Sequence, residues 1–164
     1  MGTKAALSVE EYLHTSFPDL DKEYRDGKLV ERTLPNSLHG RTQLLLGAFF
    51  LAAAKSLSLW PYSETRMKIR EGVYLIPDVA VFQAKPGLVP DTPPLVAMEI
   101  FSPDDRLPVV REKLEEYRAW GVKHIWLVDP HSKRLYTDPG LTEVPTLRIP
   151  ELGLEVTPAD VFES

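Results

Sequence analysis

Hydrophobic positions along the chain form short alternating or continuous runs, broken by proline and glycine turns and separated by stretches of helical spacing. Ser8-Val9-Glu10-Glu11 sets a hydroxyl three residues ahead of a carboxylate, the reciprocal capping pattern, and predicts a first helix that starts at Ser8 and ends before Pro18. Lys22 to Arg25 and Lys28 to Thr33 flank Asp26-Gly27, a dipeptide tolerant of positive φ, and predict a β-hairpin. Asn36 or Ser37 can cap a long helix through Leu57. Its apolar residues, Leu44, Leu45, Leu46, Phe49, Phe50, Leu51 and Ala54, surround much of the circumference and predict packing on more than one side.

Three strand candidates follow: Trp60 to Ile69, interrupted by Pro61, then Val73 to Leu75 after the Glu71-Gly72 turn, and Asp78 to Phe82. In the first, Thr65, Met67 and Ile69 alternate with charged residues, the period of a strand with one wet face. Leu95 to Phe101 is apolar except for Glu99 and reads as a central strand. Pro108 opens a helix through Trp120, with Leu114, Tyr117 and Arg118 spaced to face the sheet and Gly121 as its stop. His124 to Val128 returns as a buried strand, making a β-α-β unit. Arg134 to Thr137, Glu143 to Ile149 and Leu154 to Val156 are further strand candidates, and a short helix runs from Thr157 to Phe162. This order predicts an α/β fold with a mixed β-sheet flanked by helices, preceded by the N-terminal helix and hairpin.

At 164 residues the chain is the size of one domain, and with neither repeat nor low-complexity tract it reads as a single domain over 1–164. Leu44 to Ala54, its longest apolar run, is far short of the ~20 residues of a membrane span. No apolar stretch at the start resembles a secretory signal, so a cytoplasmic location is expected. The absence of cysteine excludes disulfides, thiolate metal sites and cysteine nucleophiles, leaving oxygen and imidazole ligands for any metal. A net charge of −5 argues against a broad electrostatic grip on nucleic acid without excluding a local one. No glycine-rich phosphate loop or nucleotide-binding fingerprint is present.

Two carboxylates interrupt the apolar strand patterns. Asp78 follows Pro77 at the head of Asp78 to Phe82, and Glu99 lies near the end of Leu95 to Phe101. A buried ionised carboxylate has to be paired, protonated or bound to a metal, because removing its water costs several kcal/mol. A hydrated Asp78 at a strand start and a Glu99 paired with an arginine would account for each singly. About twenty residues apart, the two can also meet across adjacent strands. Together with Lys113 on the following helix, they suit a hard divalent cation, which takes oxygen ligands, water and phosphate.

Pro77-Asp78 followed by Glu99 on a buried strand resembles the acidic core of the PD-(D/E)XK nuclease superfamily. Glu23-Tyr24-Arg25-Asp26-Gly27, Pro77-Asp78-Val79, Met98 to Pro103, Glu112 to Tyr117 and Gly121 to Pro130 extend the match over nearly the whole chain. These blocks resemble the Uma-two family of restriction-endonuclease-like proteins. The superfamily usually carries a lysine two residues after the glutamate, where this chain has Phe101; in the Uma-two pattern the lysine lies on the next helix, and Lys113 matches it. Val109 stands where many relatives carry an aspartate.

The resemblance implies a restriction-endonuclease-like fold and Mg²⁺-dependent hydrolysis of phosphodiesters, with Mn²⁺ as a substitute and DNA as the substrate. Asp78, Glu99 and the main-chain carbonyl of Ile100 would hold the metal, and Lys113 would orient water or stabilise developing charge. Read without the family, Lys113 is equally a solvated lysine paired with Glu112 or Glu116. Glu23, before the Asp-Gly turn, and His39, near the start of the long helix, are accessory candidates. Glu64 and Arg66 read as salt-bridge formers. The alternative to an enzyme is a catalytically inactive nuclease fold serving as a nucleic-acid-binding or oligomeric scaffold. A homodimer would help so small a domain grip duplex DNA.

Overall fold

The computed structural model describes residues 6–162, so the single-domain reading over 1–164 extends past the described residues at both ends. Helix α1 (Val9–Leu13) is capped at Ser8, whose side chain accepts from the Glu11 N–H while the Glu11 carboxylate accepts from the Ser8 N–H. Strands β1 (Glu23–Arg25) and β2 (Lys28–Val30) form the hairpin. Its turn needs positive φ at both Asp26 (48°) and Gly27 (88°), and a Cβ on Gly27 would meet the Ala6 Cβ at 2.7 Å. Helix α2 (Ser37–Leu57) is capped by the Asn36 side chain, which accepts from the His39 N–H at 3.0 Å.

The strands that follow are β3 (Trp60–Ser63), β4 (Met67–Arg70), β5 (Val73–Leu75), β6 (Val79–Phe82) and β7 (Val96–Ile100). After α3 (Leu107–Trp120), which stops at Gly121 with φ 107°, come β8 (His124–Asp129), β9 (Arg134–Asp138) and β10 (Thr142–Val144). The chain finishes with β11 (Leu147–Ile149), β12 (Leu154–Val156) and α4 (Pro158–Val161). Six strands form one mixed sheet in the order β10-β9-β8-β7-β6-β3, in which only β7 and β8 run parallel, joined through α3. A second, antiparallel sheet has the order β2-β1-β5-β4, and β11 pairs with β12 separately.

Side-chain alternation divides the core in two. Val79, Val81, Val96, Met98 and Ile100 pack with Leu46 and Phe50 of α2 and with Trp126. The intervening Ala80, Phe82 and Ala97 pack with Leu114 and Tyr117 of α3 and with Met67, Val73 and Leu75 of the smaller sheet. Tyr12, Tyr24 and Tyr74 dock α1 on that smaller sheet.

Four expectations are corrected. Trp60 to Ile69 is two strands in different sheets, because the chain takes a left-handed turn at Glu64 (φ 48°) between β3 and β4. Glu143 to Ile149 likewise divides around Pro145, which has no N–H to continue a ladder, into β10 and β11. Helix α2 buries one stripe, His39, Thr42, Leu46 and Phe50; Leu44 and Leu51 on its far side stay exposed. Arg118 does not join the core of α3: its guanidinium lies near the surface and pairs with Asp138 of β9 at 2.9 Å.

Candidate active site

Ile76-Pro77-Asp78 carries the chain from β5 in one sheet to β6 in the other. The polar groups of this connection are taken up by site residues. The Ile76 N–H donates to Glu23 at 3.0 Å, the Ile76 carbonyl accepts from Lys113 at 2.8 Å, and the Ile100 N–H donates to Asp78 Oδ2 at 2.7 Å. Gln43 of α2 adds a bond from Nε2 to the Asp78 carbonyl at 2.9 Å. Because Val79 pairs with Met98 in the antiparallel ladder, Asp78 and Glu99 occupy the next step along adjacent strands. Asp78 is 4% exposed and Glu99 9%.

Glu23, Asp78, Glu99, Lys113, His39 and Ile100 all line one cavity of about 500 Å³. Lys113 reaches back from α3 to place Nζ 2.6 Å from Glu23 and 3.0 Å from Glu99. With the Ile76 carbonyl, its three N–H groups have three acceptors. Tyr117, one turn further along α3, donates its hydroxyl to Glu99 Oε1 at 2.7 Å. His39 presents Nε2 to Asp78 Oδ1 at 3.3 Å, and Arg32 brings Nη2 to the same oxygen at 3.3 Å.

Burial is the largest influence on both strand carboxylates, yet they settle in opposite directions. For Asp78 the upward push of burial is outweighed by the His39 hydrogen bond, the His39 and Lys113 charges and the Ile100 N–H, so its pKa is lowered. For Glu99 burial prevails over Lys113 and Tyr117, with the charges of Asp78 and Glu23 adding to it, and the pKa is pushed up to about 7. Burial disfavours charge on Lys113 too, but Glu23, Glu99 and Asp78 together raise its pKa and keep the ammonium charged. His39 is raised as well: burial opposes its protonation and the hydrogen bond and charge of Asp78 overcome it.

The donor set fits a hard divalent cation. Asp78 and Glu99 bring carboxylate oxygens to one cavity, where burial first and the neighbouring carboxylates second disfavour the charge on Glu99 that a bound cation would favour. Among the described residues no three histidine or acidic side chains form a ready cage, so water and substrate oxygens would supply the remaining ligands. The Ile100 carbonyl expected at the metal belongs to a residue lining the cavity, whose N–H serves Asp78.

The family model described as "Uma2: Putative restriction endonuclease" matches residues 9–162. The chain belongs to the Uma2 family. Among solved structures it is similar to one described as a putative nuclease belonging to DUF820 from Anabaena variabilis, with 18% identity and a TM-score of 0.75 over 93% of this chain and 95% of that one. At that identity the likeness bears on the fold, which is nuclease-like. No curated protein matches the chain.

In this Uma2 chain all five predicted side chains meet at the cavity, and the two accessory candidates are integral to it: Glu23 holds Lys113, and His39 holds Asp78. Glu99 pairs with Lys113 rather than with an arginine, while Glu112 and Glu116 turn to Arg25. Glu64 lines the cavity 3.7 Å from Arg32. Arg66 lies apart, on the carbonyls of Tyr12, Leu13 and Thr15 and the carboxylate of Asp21. Sequence reasoning missed Arg32, Gln43 and the Tyr117 hydroxyl. The spacing of Tyr117 four residues after Lys113 is a usable signal for a shared helix face; Arg32, beyond a hairpin, has no such local mark.

Proposed function

We propose that this protein is a Mg²⁺-dependent endonuclease that hydrolyses phosphodiester bonds of DNA, with Mn²⁺ able to replace Mg²⁺. The observation that carries this reading is the convergence of Asp78 and Glu99 from adjacent strands, with Lys113 from the crossover helix, on one cavity. Asp78, Glu99 and the Ile100 carbonyl would hold the cation. When bound, it would polarise a phosphate oxygen and lower the pKa of a water molecule, the two contributions a divalent ion makes to phosphodiester hydrolysis.

The chain's own residues prepare the site for that chemistry. The Ile100 N–H fixes Asp78 through Oδ2 and leaves Oδ1 facing His39 and Arg32. Tyr117 and Lys113 fix Glu99 through Oε1. Lys113 keeps a buried positive charge beside the reacting phosphate, where it would stabilise the negative charge that grows as water attacks phosphorus and a P–O ester bond breaks. Asp78, Glu99 and Glu23 are buried, which strengthens each electrostatic contact they make.

The test is incubation of the purified protein with plasmid DNA and Mg²⁺, alongside Asp78→Ala and Glu99→Ala. Nicking or linearisation by the wild type that is lost in both variants and on chelation is expected; cleavage undiminished in both variants refutes the assignment. A second reading, a nucleic-acid-binding scaffold without catalysis, draws on Val109, an apolar residue lining the cavity at the position where the family resemblance leads one to expect an aspartate. DNA retention without cleavage over a range of Mg²⁺ and Mn²⁺ concentrations would favour it.

A further inference from the structure

Arg32 is a cationic group at the cavity, in contact with Asp78, that has no place in the scheme above. Its side chain is nine-tenths buried and lines the cavity. One nitrogen of its fork, Nη2, serves two carboxylates, Asp78 Oδ1 at 3.3 Å and Glu64 Oε1 at 3.7 Å. The other, Nη1, is buried and has no hydrogen-bond partner among the described residues. A buried donor without an acceptor is costly, and a guanidinium with half its fork unused is shaped to take a phosphate oxygen. Asp78 makes the position consequential. Its Oδ2 is held by the Ile100 N–H, so Oδ1, which Arg32 shares with His39 Nε2, is the one with which Asp78 would ligate a cation.

We propose that Arg32 is a tethered cation that occupies the metal-binding oxygen of Asp78 until a substrate phosphate draws it away. Arg32 and the divalent ion then compete for Asp78, and nucleic-acid phosphate, by engaging Nη1, relieves the competition. Phosphate and metal therefore bind with positive coupling, each tightening the other by the same factor. Glu64, held in a left-handed conformation at the end of β3, gives the guanidinium a second carboxylate to rest against as it leaves Asp78. The inference rests on the metal-dependent reading of the site and adds an order to it, in which the cation binds well only in company with substrate.

The test reads metal binding directly, by the electron paramagnetic resonance signal of free Mn²⁺. Wild type, Arg32→Met, Arg32→Lys and Glu64→Gln are titrated alone, with a short phosphorothioate DNA duplex, and with the same duplex carrying uncharged methylphosphonate linkages, and the Mn²⁺ taken up by each duplex without protein is subtracted. For the wild type, the phosphorothioate duplex should tighten Mn²⁺ binding about tenfold, within the ordinary range of coupled sites, and the methylphosphonate duplex should not. Arg32→Met should bind Mn²⁺ about tenfold more tightly than wild type without DNA and gain nothing from it. Arg32→Lys, which keeps the competing charge, should return Mn²⁺ binding without DNA to the wild-type level. Glu64→Gln, at a half-exposed position, should weaken Mn²⁺ binding by leaving Arg32 to rest on Asp78 alone, which gives a second readout should Arg32→Met fold poorly. Arg32→Met binding Mn²⁺ no more tightly than wild type, or Glu64→Gln binding it more tightly, overturns the proposal. If that happens while cleavage still depends on Asp78, the nuclease reading stands; if no variant and no wild-type sample binds Mn²⁺, both fall.

Discussion

Replacing Glu99 by glutamine should stabilise the protein, and should do so only where the wild-type carboxylate is ionised. Burial raises the Glu99 pKa from its ordinary 4.5 to about 7. At 1.36 kcal/mol per unit, the ionised carboxylate then costs the native state about 3 kcal/mol relative to the unfolded chain once the pH is well above 7. The sign follows from the direction of the shift. A carboxyl whose pKa is higher in the folded state favours folding below about 4.5 and withdraws that contribution as pH rises through about 7. Glutamine keeps the size and an acceptor for Tyr117 while removing the charge. The variant should therefore match the wild type near pH 4.5 and exceed it by up to about 3 kcal/mol near pH 8.5, or roughly 6–12 °C in Tm for a chain of this size. Urea unfolding of both proteins at half-unit pH steps, without divalent ions, measures the difference at each pH and cancels groups the two share. A difference that stays flat across this range, or a variant less stable at alkaline pH, would refute the reasoning.

Three further outcomes follow from the same geometry. Lys113→Met leaves Glu23 and Glu99 buried without their shared counter-charge and should cost about 3–5 kcal/mol at alkaline pH, with part of the loss recovered on acidification, at higher pH than in the wild type because Glu99 has lost the charge that lowers its pKa; urea unfolding across the pH range checks both. Tyr117→Phe removes a hydrogen bond that lowers the Glu99 pKa, so that pKa should move further up, as read from the carboxyl carbon shift in a pH titration by NMR. Asn36→Ala removes the α2 cap and should cost about 1 kcal/mol, lowering Tm by roughly 2–4 °C; a loss below about 0.3 kcal/mol would mean that solvent serves the His39 N–H equally well.

The parts of the fold most legible in the chain are those decided by a few neighbouring residues. Ser8 and Glu11 cap α1, Asn36 caps α2, Asp26-Gly27 turns the first hairpin and Gly121 ends α3 because each acts over three or four residues. Sheet membership is not local in that sense. A period of two marks the wet face of β4 but carries no sign that the chain has changed sheets at Glu64. The apolar circumference of α2 likewise tells how much surface is apolar, not how much the sheet can cover, and Leu44 and Leu51 remain outside. The site divides the same way. Carboxylates inside apolar strands stand out because burial of charge is costly, and Lys113 stands at the position of the family lysine. Arg32 stands out in neither respect, since its meaning comes from a contact made 46 residues away in sequence.

The disposition of charge at the cavity alters what the net −5 of the chain implies. Three buried carboxylates, Glu23, Asp78 and Glu99, face two cations, Lys113 and Arg32, with His39 able to add a third. Around them the cavity lining adds Glu31, Glu64, Asp104, Asp105 and Glu112 against only Arg25 and Arg106, so most of the acidic excess of the chain sits at the cavity itself. A duplex approaching that acidic rim gains little from long-range attraction, so its hold would depend on short-range contacts with the cations at the cavity. There, on the proposed reading, a divalent ion shifts the balance. It would add two positive charges beside Asp78 and Glu99, favour ionisation of Glu99 and free Arg32 for phosphate. The raised pKa of Glu99 and the unpartnered fork of Arg32 then have one physical origin, an acidic site whose favourable charge distribution includes a cation and a phosphate from outside the chain.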